Sequence, residues 1–497
     1  MTLYEVDAFE KGFEPGEIFR FVKRMNEGRE GKSKIVRVWR VFILPDGTRA
    51  GVVRLDKIVR ARAGGTGIHY SWDLPFKGET LIEEIRGKSI IGVNPYTISF
   101  TRDGKLVYKA RLKDGRCVIV KGDTIISKIQ GMSFTSVNRL FILPDGRLAG
   151  DLGFGLNREG EVKKVLPFKG RRLITEIGGR KIEEGCVWHV RKDGTLVGTA
   201  FLKYRKALTG MREVPFKGDI LLDKIKGEKV LDTDRLSLFT LPDGTLVGEV
   251  RLEDGRCLIF KDNNLIEEMG GKRIAMVGYF YVLSDGTLAG RIRLEGSDKW
   301  IIFKGDTLID RIQGKEFKNN ASLQVFGNIL YGSVEMDDGR KIPFKENTLI
   351  EEINGKKIIN VEPQWVELLP DGRMLCGAIL EDGRCVILKG DTVIEEIQGR
   401  RFKELSRLLA LSDGTVAGVV ELEDDRWVPF KGDALLEEIE DRKVMHSYLI
   451  YSLPDGTFAG QVETLYEERE IHEYFFWHGH EVYIPQPPDP DRARDLD

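Results

Sequence analysis

The chain has 497 residues, of which 31% are charged and 41% are apolar, and its formal net charge at pH 7 is −2. This composition is typical of a globular protein rather than a disordered one, and the near balance of charges excludes a global field that attracts nucleic acid or membranes. No run of about 18 consecutive apolar residues is present, which argues against a membrane-spanning helix.

Residues 1–30 precede a repeated pattern and are predicted to form an N-terminal segment. Their acidic start lacks the apolar core of a secretory signal, and the five scattered cysteines show no CxxC spacing. We therefore expect a cytoplasmic protein, and the abundance of Lys and Glu favours a thermostable one. Within this segment, IFRFVKRMN is predicted to be a ring-closing strand that joins the two ends of the repeat array.

Residues 31–484 contain ten copies of one pattern, which returns about every 42 residues. Nine copies carry a glycine in a first tight turn, as in LPDGTLVG, and one copy has an asparagine there. These marker residues are Gly47, Gly104, Gly146, Gly194, Gly244, Gly286, Asn328, Gly372, Gly414 and Gly456. The remaining residues, 485–497, are rich in proline and charge and are predicted to be a disordered tail.

Each copy is typical of four short strands. A first apolar strand is followed by a Pro-Asp-Gly turn, a second by EDGR, a third by KGD, and a fourth, TLIEEI, by a longer link. Asp-Gly between apolar runs indicates a tight two-residue hairpin that needs positive φ. Three hairpins and one crossover predict a four-stranded antiparallel blade, and the chain resembles β-propellers at the level of architecture. The predicted fold class is therefore all-β, a propeller of about ten blades, with two five-bladed rings or an open β-solenoid as alternatives.

A second glycine recurs early in the second strand of nine copies, and Tyr108 stands at this position in the other. Because glycine weakens a strand, its recurrence predicts a close approach of backbones from adjacent blades. In the eighth copy the glycine, Gly377, arrives one residue late, which predicts a β-bulge.

Three large insertions mark the candidate binding face. They occupy residues 56–73, 153–164 and 203–213, and each falls at the EDGR turn, so all three are expected on one face of the propeller. They are basic and contain interspersed aromatic residues. The candidate binding residues are Arg60, Arg62, Tyr70, Trp72, Arg158, Lys163, Lys164, Lys203, Tyr204, Arg205, Lys206 and Arg212.

We expect this face to dock a protein partner, so that the chain serves as a non-catalytic interaction platform. The alternative is a nucleic-acid or other polyanion-binding module that uses the same loops, because cations beside aromatic rings bind single-stranded nucleic acid. The matching loop of the tenth copy, ETLYEEREIHEY, is acidic, which predicts an electrically polarised face.

Recurrent charges outside the insertions are interpreted as structural. A lysine stands at the start of the KGD turn in nine copies, and in most of them an acidic residue within two positions offsets its charge. The glutamate pair of TLIEEI is interpreted as the solvated edge of each blade, where charge discourages edge-to-edge pairing.

No catalytic, metal-binding or cofactor-binding residues are predicted, because the sequence lacks GxSxG, HExxH, phosphate-loop and paired-cysteine zinc motifs. His478 and His480 are expected on one face of a strand, but His478 replaces the recurring lysine. Cys186 and His189 are expected on opposite faces of a strand, which argues against a nucleophile–base pair. A hydrolase or lyase site in a central channel stays a second alternative, since propellers host such enzymes.

Overall fold

The computed structural model describes residues 16–485, except 28, 30–32, 60–67, 158, 160, 205–210, 235–236, 363–365, 412, 440–441, 454, 467–468 and 480. The predicted tail at 485–497 therefore lies outside the described residues, apart from its first position. The described chain is an all-β propeller of ten blades preceded by one helix, which confirms the predicted fold class. No helix in the described ranges is long and apolar enough to cross a membrane.

The structure divides into two compact units. The first comprises residues 1–43, 48–81 and 311–497, and the second comprises residues 44–47 and 82–310. Blade 1 and blades 7–10 thus belong to the first unit, and blades 2–6 belong to the second.

The helix and the strands of blade 1 are α1 (Glu17–Glu27), β1 (Lys34–Ile43), β2 (Arg49–Val59), β3 (Ile68–Lys77) and β4 (Thr80–Leu81). Blade 2 contains β5 (Glu84–Ile85), β6 (Lys88–Val93), β7 (Ser99–Phe100), β8 (Leu106–Leu112), β9 (Cys117–Lys121) and β10 (Thr124–Ile126), with a 3₁₀ turn at Pro95–Thr97. Blade 3 contains β11 (Lys128–Ile129), β12 (Met132–Ser133), β13 (Ser136–Ile142), β14 (Leu148–Leu156), β15 (Val162–Lys169) and β16 (Arg172–Leu173).

Blade 4 contains β17 (Glu176–Ile177), β18 (Arg180–Lys181), β19 (Glu184–Val190), β20 (Leu196–Lys203), β21 (Met211–Lys217) and β22 (Ile220–Leu221). Blade 5 contains β23 (Lys224–Ile225), β24 (Glu228–Thr233), β25 (Phe239–Thr240), β26 (Leu246–Leu252), β27 (Cys257–Lys261) and β28 (Asn264–Ile266). Blade 6 contains β29 (Glu268–Met269), β30 (Lys272–Val282), β31 (Leu288–Leu294), β32 (Trp300–Lys304) and β33 (Thr307–Ile309).

Blade 7 contains β34 (Arg311–Ile312), β35 (Lys315–Glu316), β36 (Asn319–Phe326), β37 (Ile329–Glu335), β38 (Lys341–Lys345) and β39 (Thr348–Leu349). Blade 8 contains β40 (Glu352–Ile353), β41 (Lys356–Val361), β42 (Glu367–Leu368), β43 (Met374–Leu380), β44 (Cys385–Lys389) and β45 (Thr392–Ile394). Blade 9 contains β46 (Glu396–Ile397), β47 (Arg400–Ala410), β48 (Val416–Leu422), β49 (Trp427–Lys431) and β50 (Ala434–Leu435). Blade 10 contains β51 (Glu438–Ile439), β52 (Arg442–Ser452), β53 (Phe458–Tyr466), β54 (Arg469–His478) and β55 (Glu481–Tyr483).

The Pro-Asp-Gly turns are three-residue loops rather than the predicted two-residue primed turns. In blade 3, the Gly146 N–H donates to Leu143 O at 2.8 Å, and the Leu143 N–H donates to Arg147 O at 2.8 Å. Only the glycine has a positive φ, of 77°, as in a type I turn followed by a glycine bulge. The turns with two successive positive φ values lie instead in the crossovers, as at Gln130 and Gly131, where a small hairpin forms.

The recurring strand glycine faces a bulge in its own blade, so the predicted approach between adjacent blades is wrong at this position. A Cβ atom on Gly198 would lie 2.0 Å from the carbonyl oxygen of Cys186, in the first strand of the same blade. That strand shifts register between Val187 and His189. The opposite neighbour is Phe216, which pairs with Gly198 and whose ring would lie 2.8 Å from the added Cβ. Glycine is therefore required because a carbonyl group and an aromatic ring already fill the space of a side chain.

Two blades without the glycine show how it is replaced. Tyr108 in blade 2 pairs with Val120, and Cys376 in blade 8 pairs with Leu388, so the partner ring is absent in both. The first strand of each of these blades is divided in two, which removes the bulged carbonyl from this position. The bulge predicted near Gly377 is also wrong, because β43 pairs with β44 without a register shift.

The recurring lysines connect one blade to the next. Lys121 donates to Gly146 O at 2.8 Å, Lys169 to Gly194 O at 2.9 Å, and Lys345 to Gly372 O at 2.6 Å. Each acceptor is the glycine of the first turn of the following blade. These hydrogen bonds support the interpretation of the recurring lysines as structural residues.

The first glutamate of TLIEEI is paired within its blade in several copies. Arg426 of the DGR-type turn lies 2.6 Å from Glu437 and 2.8 Å from Asp424. In blade 5, Arg256 lies 3.2 Å from Glu267 in the same way. These glutamates thus hold the fourth strand against the start of the third strand, in addition to facing solvent.

The N-terminal segment is a helix at the seam between blade 10 and blade 1, not the predicted strand. Ile18, Val22 and their neighbours recur at helical spacing and are buried. The buried carboxylate of Asp455 in blade 10 accepts the backbone N–H of Ile18 at 2.7 Å and thereby caps the helix. At the other end, the Asn26 side chain bonds to the N–H and the carbonyl oxygen of Ile35 in blade 1. The segment therefore links the two blades through a capped helix.

Candidate functional site: the insertion hairpins

The three insertions extend the hairpin between the second and third strands of their blades. The pairing reaches Val59 and Ile68 in blade 1, Leu156 and Val162 in blade 3, and Lys203 and Met211 in blade 4. In blade 5, which has no insertion, the corresponding ladder ends at Arg251 and Cys257. The described parts of the insertions are therefore ordered ladders.

Several predicted binding residues lie outside the described residues. These are Arg60, Arg62, Arg158, Arg205 and Lys206, and the side chain of Tyr70 is likewise not described. Trp72 is half-exposed beside Asp73. The Asp73 carboxylate accepts the Trp39 indole N–H at 2.7 Å and pairs with Arg54 at 3.0 Å. The base of the blade 1 hairpin is thus fixed by a polar network.

The blade 3 hairpin presents cations together with an apolar side chain. Lys163 is exposed and Lys164 is half-exposed on its returning strand. Leu156, at the end of the outgoing strand, is 50% exposed. Phe154, two residues earlier, is buried. The exposed tip therefore combines a leucine with two lysines.

The blade 4 hairpin holds an aromatic ring in a fixed position. The Tyr204 hydroxyl donates to Glu253 at 2.5 Å, and the Lys229 ammonium lies 4.1 Å from the centre of its ring. Lys203 remains open to solvent and lies 3.6 Å from Glu183. These contacts join the hairpin of blade 4 to blade 5.

Arg212 was predicted to be an exposed binding residue, but the structure places it in a buried position on β21. Its side chain is only 5% exposed and pairs with Asp223 at 2.9 Å. The guanidinium also donates to the carbonyl oxygens of Asp223 and Val230, at 3.2 and 3.0 Å. Arg212 therefore ties blade 4 to the first strand of blade 5.

The aromatic rings of the blade 3 and blade 4 hairpins are not open to a stacked base, as the polyanion alternative requires. The Phe154 ring is buried, and the Tyr204 ring is covered by a cation that a stacked base would have to displace. The acidic loop of blade 10 is also partly internal, since Glu473 is buried and pairs with Arg442 at 2.5 Å. The surface charge of that loop is therefore smaller than its composition predicts.

A cavity of about 570 Å³ between blades 4 and 5 is lined by several ionisable groups, among them Glu249, Asp232 and Cys257. Burial, and then the charge of Asp234, raise the pKa of Glu249 to about 7. Burial also raises the pKa of the Cys257 thiol, which keeps it protonated and poorly nucleophilic. The cavity thus offers a proton acceptor without an activated nucleophile.

The predicted histidine and cysteine candidates have other surroundings. Burial, and then the charge of Arg191, lower the pKa of His189 to about 4, and its Nε2 bonds to the Thr240 hydroxyl of blade 5. The His478 ring packs against Phe19 of the helix, while His480 lies outside the described residues. Within the described part of the chain, no group of three His, Cys, Asp or Glu residues is arranged to hold a metal ion.

No family model matches the chain, and no curated protein matches it. Among solved structures, one titled as a eukaryotic initiation factor aligns with 86% of this chain and 95% of its own, at 10% identity and a TM-score of 0.38. The WD40 β-propeller domain of Doa1 aligns over 66% of this chain and 89% of its own, at 14% identity and a TM-score of 0.22. The Dos1 propeller aligns over 87% and 90%, at 9% identity and a TM-score of 0.26. Likenesses this low carry no argument, and the assignment as a β-propeller rests on the chain's own sheets.

Proposed function

We propose that the chain is a non-catalytic interaction platform and that the insertion hairpins of blades 3 and 4 dock a protein partner. The observation that carries this proposal is Leu156, a large apolar side chain that is half-exposed at the tip of an ordered hairpin. Protein interfaces are organised around buried apolar or aromatic anchors with a charged rim, and Lys163 supplies a charge on the neighbouring strand.

Protein is favoured over polyanion as the partner because, on the blade 3 and blade 4 hairpins, the Phe154 ring is buried and the Tyr204 ring is already covered by a cation. The blade 1 hairpin occupies the equivalent turn of its own blade, and Arg60 and Arg62 are proposed to contact the same class of partner. A cytoplasmic location is proposed together with this role.

A photo-crosslinking residue at position 156 tests the proposal. The control places the same residue at Ile220, which is 61% exposed on a third-turn hairpin of blade 4, at the other end of the sheet. We expect a protein adduct at 156 that is absent at 220. The affinity of the purified adduct partner should then fall at least about tenfold in Leu156→Ser and change little with salt.

Two results would overturn the proposal. One is equal crosslinking at positions 156 and 220. The other is binding that survives Leu156→Ser but weakens steeply as salt rises, since that dependence is typical of phosphate contacts and would favour the polyanion alternative.

A further inference from the structure

A groove of about 1350 Å³ runs along the outer strands of blades 2 and 3, entirely within the second unit. Its lining contains eight cationic side chains and one acidic side chain, Asp123. It opens at the end of the sheets that carries the first and third turns, because Arg147 and Gly170 of those turns line it. The insertion hairpin of blade 3 lies at the opposite end of its sheet. We call this site the blade 2–3 groove.

The charge of the groove arises where blades 2 and 3 depart from the repeat. Blade 2 reads TIISKI instead of TLIEEI, so Ser127 and Lys128 replace the glutamate pair. Blade 3 reads KGRRL instead of KGDTL, so Arg171 and Arg172 replace an acidic and a hydroxyl residue. Blades 1, 5, 7, 8 and 9 keep the glutamate pair, and its first glutamate pairs with an arginine in several of them, as Glu437 does with Arg426. Blades 2 and 3 therefore lack acidic groups that most other blades keep at these positions.

Four of the eight cations have neither an acidic nor a carbonyl partner among the described residues. Lys121 and Lys169 donate to turn carbonyls, and Lys105 and Arg147 are paired with aspartates of their own turns. Each of the other four is exposed and has no ion-pair partner among the described residues. They are Arg86, Lys128, Arg171 and Arg172. An anionic group in the groove would thus meet cations that have no competing partner.

The groove also contains an open strand edge and an apolar floor. β10 is the last strand in its sheet, and alternate residues of such a strand direct their backbone groups away from the neighbouring strand. Ile125 and Ile126 of β10 are half-buried, and Phe168 beneath them is fully buried. An unpaired edge of this kind accepts an added strand from another chain.

We propose that the blade 2–3 groove binds an extended acidic peptide segment of a partner protein, which adds as a strand to the edge of β10. Side chains alternate between the two faces of a strand, so acidic residues at every second position reach the cations while the apolar residues between them cover Ile126, which packs in the same apolar cluster as Phe168. Nucleic acid fits less well, because Phe168 is the one aromatic residue in the lining and is buried, which leaves bases no ring to stack on.

The test uses the full chain and a fluorescein-labelled peptide that alternates glutamate with valine, followed by fluorescence anisotropy. The binding variant is Arg171→Asp/Arg172→Thr, which restores the residues that other blades carry and so preserves the turn. The matched control is Lys192→Glu, an exposed charge reversal in the first turn of blade 4, at the same end of the sheets. We expect the double substitution to weaken binding at least about tenfold and the control to leave it within about twofold.

A second measurement separates strand addition from simple charge attraction. The same peptide with N-methyl groups at the alternate positions that would face β10 lacks the backbone N–H donors needed for strand addition, and it should bind at least about tenfold more weakly. Oligothymidylate serves as the nucleic-acid probe and is expected to compete poorly. Equal affinity for methylated and unmethylated peptide, or for peptide and oligothymidylate, would overturn the proposal. So would unchanged binding by the double substitution.

This inference goes beyond the proposed docking function and can fail independently of it. Leu156→Ser, at the opposite end of the sheet, should leave the peptide affinity unchanged, and Arg171→Asp/Arg172→Thr should leave the crosslink at position 156 unchanged.

Discussion

Replacing Gly198 with alanine puts a Cβ atom 2.0 Å from the carbonyl oxygen of Cys186 and 2.8 Å from the ring of Phe216. A carbon and a carbonyl oxygen come no closer than about 3.3 Å without repulsion, so the strands must separate by about 1.3 Å. Overpacking of this kind costs about 1–3 kcal/mol. We expect the upper end, about 3 kcal/mol, because the first obstacle is backbone and cannot rotate away.

The matched control is Gly92→Ala, also in a strand, where an added Cβ meets no atom within 4 Å. Alanine at an unobstructed strand position should be neutral or stabilise by about 0.5–1 kcal/mol. Urea unfolding followed by tryptophan fluorescence gives both values from the midpoint and slope, and Trp188 lies in the bulged strand itself.

A second comparison identifies the obstacle. At Gly248 the two nearest atoms belong to the side chains of Leu238 and Phe260, each 2.6 Å from the added Cβ. Phe260→Leu should therefore recover part of the loss caused by Gly248→Ala, whereas Phe216→Leu should recover little of the loss caused by Gly198→Ala. If Gly198→Ala is as stable as Gly92→Ala, the bulge does not explain the recurring glycine.

Three further predictions concern the blades. Lys169→Met should lower the free energy of unfolding by about 1 kcal/mol, because it removes the 2.9 Å bond to Gly194 O; Lys192→Met is the control, and equal losses would contradict the contact. Burial raises the pKa of Asp151 to about 6, above its unfolded value of about 3.9, so the folded state holds the proton more tightly. From pH 4 to 6 the wild type should therefore lose up to about 3 kcal/mol of stability relative to Asp151→Asn, and parallel pH profiles would refute this. Burial raises the pKa of Cys376 to about 12, so iodoacetamide should spare it in the native protein and modify the half-exposed Cys257 before it, as peptide mass spectrometry can show.

Much of the fold could be predicted because it depends on short-range sequence patterns. Asp-Gly and Lys-Gly turns between apolar runs define hairpins through the conformations of a few successive residues. Their repetition predicts blades, since one such sheet cannot bury its apolar faces alone. The helix at Glu17–Glu27 was nevertheless predicted as a strand. Its spacing of Ile18, Val22 and their neighbours is helical, and that signal was present in the sequence.

The surroundings of the candidate site residues could not be predicted in the same way, because they depend on residues farther away in the chain. Arg212 looked like a free loop cation, but residues 11 to 18 positions away bury it, and no local pattern specifies such an environment. The sequence also contained the substitutions Ser127-Lys128 and Arg171-Arg172, yet their meaning required the two outer strands to lie along one groove.

By itself, the sequence determined the number of repeats, the strands within each and the turns that carry the insertions, because these follow from the conformational preferences of neighbouring residues. The tertiary structure alone decided which carbonyl opposes each strand glycine, which turn each lysine reaches and where unpaired cations gather. Those features depend on contacts between residues that are far apart in the chain, and their energies are set by burial and geometry that no single segment contains.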